Sequence, residues 1–223
     1  MMRPFDEIYE LAASRKGGPE ALEDLLEPPL EKDQLLAIPD DRWLSMMTKC
    51  IFQAGFSWKV IEKKWPGFEA AFDNFHVARC AFLNDEDFER LLSNKDIVRN
   101  GVKIHAVQEN ARFISEIAES HGSAAIYFTS FPSSAYVELL EALKKRGARL
   151  GGSTAQFFCR FMGLDSFMLS RDVTARLIVE GVIDKPATSK GAMKKVQEAF
   201  NEWHSQSGRS LKEISRVLAM STD

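Results

Sequence analysis

Along most of the chain, apolar residues return every three or four positions, with polar residues between them. Trp43, Met46, Met47, Cys50, Ile51 and Ala54 fall on one face of a predicted helix. Ile104, Val107, Ala111, Ile114 and Ala118 do the same on a longer one. Leu139, Leu140 and Leu143 mark another, as do Val173, Leu177 and Ile178, and Met193, Val196 and Phe200. Breaks are expected at Gly17-Gly18, Pro28-Pro29, Pro39, Gly55, Pro66-Gly67, Gly101, Gly122, Pro132, Gly151-Gly152, Gly163, Gly181 and Pro186. Asn84 before DEDFERLL is an N-cap signal with acids in the first turn. Pro132-Ser133-Ser134 predicts another helix start. Strand-type alternation is nearly absent, and Ile126-Tyr127-Phe128 is its best short candidate. The pattern predicts an all-α protein of many short helices.

Composition narrows the function classes. The chain has 223 residues, 45% of them hydrophobic, enough for a real core in one domain or two small lobes. Its formal charge of -3 disfavours a protein that merely coats nucleic acid, while leaving room for a local basic patch. Cys50, Cys80 and Cys159 are far apart and predict buried, reduced thiols. No His or Cys pair has ligand spacing, so no metal and no cofactor are expected. No apolar run is long enough to span a membrane, and MMRPFDEIYELAA lacks a signal-peptide core. A cytoplasmic protein is expected.

One stretch suggests chemistry. Residues 147–173 read GARLGGSTAQFFCRFMGLDSFMLSRDV, preceded by Lys144-Lys145-Arg146. Glycines allow a tight turn and close backbone approach to a ligand. The N–H groups of a helix starting at Ser153-Thr154 would attract an anion. Gly151, Gly152, Ser153 and Thr154, assisted by Lys145 and Arg149, could therefore grip a nucleic-acid phosphate. An ordinary helix corner with surface lysines fits the same residues.

LGGSTAQFF resembles the hairpin of the helix-hairpin-helix DNA glycosylase superfamily. Within that superfamily, three ordered blocks resemble the 3-methyladenine DNA glycosylase I family: QAGFSWKVIEKKWPGFEAAF, IVRNGVKIHAVQENAR and ALKKRGARLGGST. They span roughly residues 43–175. The resemblance implies two helical lobes with a cleft between them: a helix-hairpin-helix core lobe at 45–175, and a terminal lobe of 1–44 plus 176–223. It implies base excision from double-stranded DNA by a monomer, in which an alkylated nucleotide is flipped and its N-glycosidic bond hydrolysed. The expected base is 3-methyladenine or a related alkylated purine, which is cationic in DNA and attracted to an aromatic face.

The family motifs assign roles residue by residue. Trp58 matches the stacking tryptophan, and the base pocket would also include Cys50 and Trp43. Gln53 and Phe56 match the wedge that fills the gap left by the flipped base. Lys103 matches a lysine of structural or phosphate-binding character. Ser153 stands where bifunctional relatives carry a lyase lysine, so a monofunctional enzyme is implied. As residues alone, Trp58 and Phe56 also fit a buried core.

The sequence departs from the family in three places. Cys50 replaces the glutamate that contacts the flipped base. Ser170 occupies the position of the superfamily's catalytic aspartate, and Asp172 is the nearest acid, although as a helix-opening residue it also fits a cap role. The family's zinc clamp and the tyrosine of its YHDxEWG-like stretch have no counterpart. The termini would then close by packing Phe5, Ile8 and Leu11 with Ile214, Val217 and Leu218. The catalytic group stays unassigned, with Ser170 and Asp172 as candidates. Two readings remain open: a glycosylase, or a catalytically silent protein that binds damaged or bent DNA. A helical protein that has lost DNA contact is a more distant third.

Overall fold

A computed structural model describes residues 2–222. Among these residues the chain is helical throughout, with no strand. In chain order the helices are α1 (Phe5–Lys16), α2 (Pro19–Glu23), α3 (Lys32–Leu36), α4 (Asp40–Gln53), α5 (Trp58–Ala71), α6 (Val77–Ala81) and α7 (Asp85–Ser93). They continue with α8 (Gly101–His121), α9 (Ala124–Thr129), α10 (Tyr136–Arg146), α11 (Ser153–Phe161), α12 (Arg171–Val179), α13 (Lys190–Ser207) and α14 (Leu211–Met220). The chain divides into two units. A terminal unit holds Met1–Leu30, Pro132–Glu138 and Gly163–Asp223, and a central unit holds Glu31–Phe131 and Leu139–Met162. The chain thus crosses between the units after residues 30, 131, 138 and 162, where the sequence suggested crossings after 44 and 175.

In the central unit α4 is packed on several sides, by α5, α8, α9 and α11. That is why it buries Leu44, Thr48 and Phe52 as well as the expected Trp43, Met47, Cys50 and Ile51. Ala54 lies just beyond the helix and is exposed. Asn84 caps α7 in a reciprocal capping box with Asp87. Asn100 caps α8 by accepting from the Lys103 N–H at 3.1 Å. Such caps satisfy backbone groups that a helix leaves unpaired.

Two expectations are corrected here. Ile126-Tyr127-Phe128 lies within α9, whose N-cap Ser123 accepts from Ile126 N–H. A three-residue apolar run does not distinguish a short helix from a strand. Pro66-Gly67 does not break α5, which runs through both residues. Packing beyond the proline holds the helix together. Phe68 and Ala71 are buried, and Trp65 stacks on Phe68 and Phe75. Gly67 sits against segment 95–96, where an added Cβ would come within 2.5 Å of the Asp96 carbonyl oxygen.

In the terminal unit α1 packs on α2, α13 and α14. Phe5 and Ile8 are buried, as are Ile214, Val217 and Leu218, while Leu11 is half-buried. A buried polar tie reinforces this packing. Arg176 donates to Ser221 Oγ at 2.8 Å and to the Ser221 carbonyl, and pairs with Glu180 at 3.2 Å. The Arg3 N–H also reaches Glu180, at 3.1 Å.

Candidate nucleic-acid interface

The candidate surface of the central unit starts where α4 ends. Its last carbonyls have no partner within the helix, and Lys103 of α8 supplies one. The Lys103 ammonium donates to Phe52 O at 3.2 Å and to Ala54 O at 2.7 Å. Burial, and then the charge of Arg149, lower its pKa below the ordinary lysine value. The Phe56 N–H closes a turn onto Gln53 O at 3.1 Å, with Gly55 at φ 69°. The chain then enters α5 at Trp58. The QAGF turn is thus pinned from behind, and Phe56 stands 44% exposed beyond it.

Trp58 opens α5 and is 41% exposed. Its indole is fixed by rings of α11. Phe157 lies 4.9 Å away and Phe161 5.9 Å away, both at 77°. Such edge-to-face contacts hold the ring plane while leaving surface for a ligand. Thr154, Phe157 and Phe161 occupy positions i, i+3 and i+7 of α11 and share one side of it. Helical rise separates Thr154 from Phe161 by about 10 Å along the axis. One helix therefore carries both the Gly-Gly-Ser-Thr turn and the support for Trp58.

The turn itself is set by backbone demands. Gly152 has φ 57° and ψ -132°, a conformation that is nearly glycine-only. Nothing lies within 4 Å of where its Cβ would be, so the position is open to solvent. No side chain caps the first turn of α11, and its N–H groups are left for an outside acceptor. Ser153 is exposed and Thr154 and Gly151 are half-buried. The loop before the turn is clamped by Asn110 of α8. Its amide accepts from Ala148 N–H at 2.8 Å and donates to Ala148 O at 3.1 Å. Asn110 has no exposed surface. Arg149, at φ 59°, is exposed, as are Lys144 and Lys145. Arg146 is otherwise engaged, stacked on Phe113 and Tyr127 and paired with Glu116 at 3.6 Å.

The structure leaves Trp58 and Phe56 exposed and ties Trp58, through Phe157 and Phe161, to the helix that opens at the turn 151–154; it places other candidates differently. Trp43 has no exposed surface and lies in the core between Phe128 and Phe158, its Nε1 donating to Ile38 O at 3.2 Å. Cys50 is buried, and burial pushes its thiol up to about 12. Gln53 is 4% exposed and donates to Glu62 Oε1 at 3.2 Å, so in this conformation it does not project as a wedge. Ser170 and Asp172 belong to the terminal unit. Ser170 N-caps α12 by accepting from Val173 N–H, and Asp172 sits in the first turn beside Arg171. Both act there as helix-start groups.

Four further residues matter that were not assigned a role from sequence: Phe157, Phe161, Asn110 and Glu62. Phe157 and Phe161 are four apart, a spacing that marks them as neighbours on a helix, but an aromatic pair of this kind also reads as core. Asn110 and Glu62 act through contacts 38 and 9 residues away, which no local pattern reveals.

Comparison with known proteins places the chain in a family. A model of the methyladenine glycosylase family matches residues 37–155. DNA-3-methyladenine glycosylase 1 of Escherichia coli (strain K12) is 31% identical, over 46% of this chain and 64% of that protein. The chain thus spans less than two thirds of the length of this relative. A crystal structure of 3-methyladenine DNA glycosylase I (TAG) is 32% identical, with a TM-score of 0.50 over 56% of this chain and 79% of the other. The Staphylococcus aureus enzyme, in a structure addressing 3-methyladenine recognition, is 23% identical with a TM-score of 0.51, over 56% of this chain and 77% of the other, a likeness of fold alone. With more than half its length matched by the family model, the chain belongs to the methyladenine glycosylase family and has its helical fold.

Proposed function

We propose that this chain is a monofunctional DNA glycosylase that removes 3-methyladenine or a related alkylated purine from duplex DNA. The observation that carries the reading is the half-exposed Trp58, held edge-on by Phe157 and Phe161 of the helix that opens at the Gly-Gly-Ser-Thr turn. The turn and its N–H groups, with Lys145 and Arg149, anchor a backbone phosphate. Phe56, exposed at the tip of the QAGF turn, enters the duplex as an apolar wedge and favours extrusion of the damaged nucleotide. The extruded base stacks on Trp58, where its positive charge meets the electron-rich ring face. Water then replaces the base at the sugar carbon. A cationic base is already a good leaving group, so this step asks less of acid catalysis than excision of a normal base.

Binding without hydrolysis is a second reading, favoured by one observation. Cys50 keeps its proton to about pH 12 and offers no charge or base. Incubation with methylated duplex separates the two. The glycosylase reading expects free 3-methyladenine beyond one equivalent. It also expects loss of that release in Trp58→Ala, by roughly tenfold to a hundredfold, the scale of one base–aromatic stack. Tight binding to an abasic-site duplex with no release by wild type selects the silent reading.

A further inference from the structure

We propose that Glu62 is the carboxylate of the base site, facing the positive charge of the alkylated base stacked on Trp58; this deepens the glycosylase reading and rests on it. Glu62 follows Trp58 by four residues on α5, so the two side chains lie one turn apart on the same side of that helix. Ile61 and Phe68 of the same helix are buried, whereas Trp58 and Glu62 are exposed. The carboxylate is not a loose surface group. Its Oε2 pairs with the Lys49 ammonium at 2.8 Å, and its Oε1 accepts from Gln53 Nε2 at 3.2 Å. Both partners belong to α4 and flank Cys50. These contacts hold the carboxylate at the junction of α4, the QAGF turn and Trp58, while 55% of its side chain stays accessible.

The Gln53 amide adds a second observation. A carboxylate only accepts hydrogen bonds, so the Gln53 NH2 faces Glu62 and its Oε1 is turned away. That oxygen is buried and has no hydrogen-bond partner among the described residues. A buried acceptor left unmatched is costly, and a donor brought by a ligand relieves the cost. The junction therefore offers a partly exposed carboxylate one turn from Trp58 on α5, with a buried acceptor next to it that the protein leaves unmatched. Cys50, neutral at physiological pH, competes for neither role. The ligand that fits is a flat, cationic base with N–H donors on its edge. An alkylated adenine, with its exocyclic amino group, meets these demands. A guanine, which presents its O6 acceptor at the corresponding edge, meets them less well. An unmodified base lacks the charge that both Trp58 and Glu62 reward.

Glu62→Gln tests this, because it keeps the side-chain size and an acceptor for Gln53 while removing the charge. Three quantities are measured on wild type and variant: release of free 3-methyladenine from methylated duplex, affinity for a duplex with an abasic-site analogue, and the thermal unfolding midpoint. The expected result is release slowed about tenfold to a hundredfold, the loss of one charge-assisted hydrogen bond. Abasic binding and unfolding stay close to wild type, because neither involves the base. Release at the wild-type rate overturns the assignment. So does a parallel loss of release, abasic binding and stability, which marks Glu62 as a structural tie only. Absence of release from wild type overturns the glycosylase reading itself, and is told apart because it precedes any effect of the variant.

Discussion

At the scale of single residues, the thiol of Cys50 is the clearest case of position deciding chemistry. It sits one turn before Gln53 on α4 and is 3% exposed. Burial raises its pKa from 9.0 to about 12, and Cys80 is raised to about 12 by burial and by Asp73. Only the thiolate is nucleophilic. Native protein at pH 8 is therefore expected to take up no alkylating reagent at either site, whereas denatured protein labels at all three cysteines; mass spectrometry of the intact chain reads the difference. The same shifts fix a pH dependence. A folded pKa above the unfolded one contributes stability below about pH 9, and that stability is lost as pH rises toward 12. Unfolding midpoints should fall across this window, and replacing Cys50 by Ala should reduce the fall. A Cys50 that labels rapidly in the native state would mean that the α4 face opens in solution. Trp58 and Glu62 are the opposite kind of residue, exposed yet held by neighbours, and that combination makes them candidates for ligand contact.

At the scale of elements, the turn at 147–154 depends on two devices that substitutions can separate. Gly152 needs a positive φ but has open space around its Cβ position. Gly152→Ala should therefore cost about 1–3 kcal/mol of backbone strain at the turn without disturbing a neighbour's packing. Asn110→Ala acts from behind. It leaves the Ala148 N–H and C=O unpaired in a part-buried place, at about 1–3 kcal/mol. Both variants should weaken binding to abasic duplex more than they lower the unfolding midpoint of the whole chain. Equal binding by wild type and both variants would remove the turn from the interface. The same element shows what a sequence reveals. Gly151-Gly152 before Ser153-Thr154 was readable because backbone geometry restricts which residues fit there. The helices α4, α8 and α12 were readable because their buried positions repeat with the helical period, and α7 because its cap Asn84 is local. Pro66 misled because the packing that carries α5 through it comes from Phe68, Phe75 and segment 95–96. Trp43, expected in the base pocket, faces Phe128 and Phe158 instead, contacts that no local pattern reveals. Gln53 was assigned to the wedge by its match to the family motif, while its partner Glu62, on the next helix beyond the turn, is not legible locally.

At the scale of the whole molecule, charge limits how the proposed DNA partner can be held. The chain is net negative at -3, which disfavours a broad electrostatic grip and leaves attraction to local cations. Around the turn these are Lys144, Lys145 and Arg149, because Arg146 is stacked and paired elsewhere. Lys103 is buried behind the QAGF turn and adds field but no direct contact. Each phosphate neutralised contributes about 0.9 to the slope of log affinity against log salt. Two or three phosphate contacts predict a slope of roughly -2 to -3. A protein that coats DNA through many cations would be far steeper. Lys145→Ala and Arg149→Ala should each flatten the slope by about one unit and weaken lesion and undamaged duplex alike, since phosphate contacts carry no base information. Glu62→Gln should leave the slope untouched, because its proposed partner is the base. Titrations of abasic and undamaged duplex at several salt concentrations measure both effects. A slope that stays at the wild-type value in Lys145→Ala and Arg149→Ala would place the phosphate grip elsewhere on the protein, whatever the family resemblance of the turn.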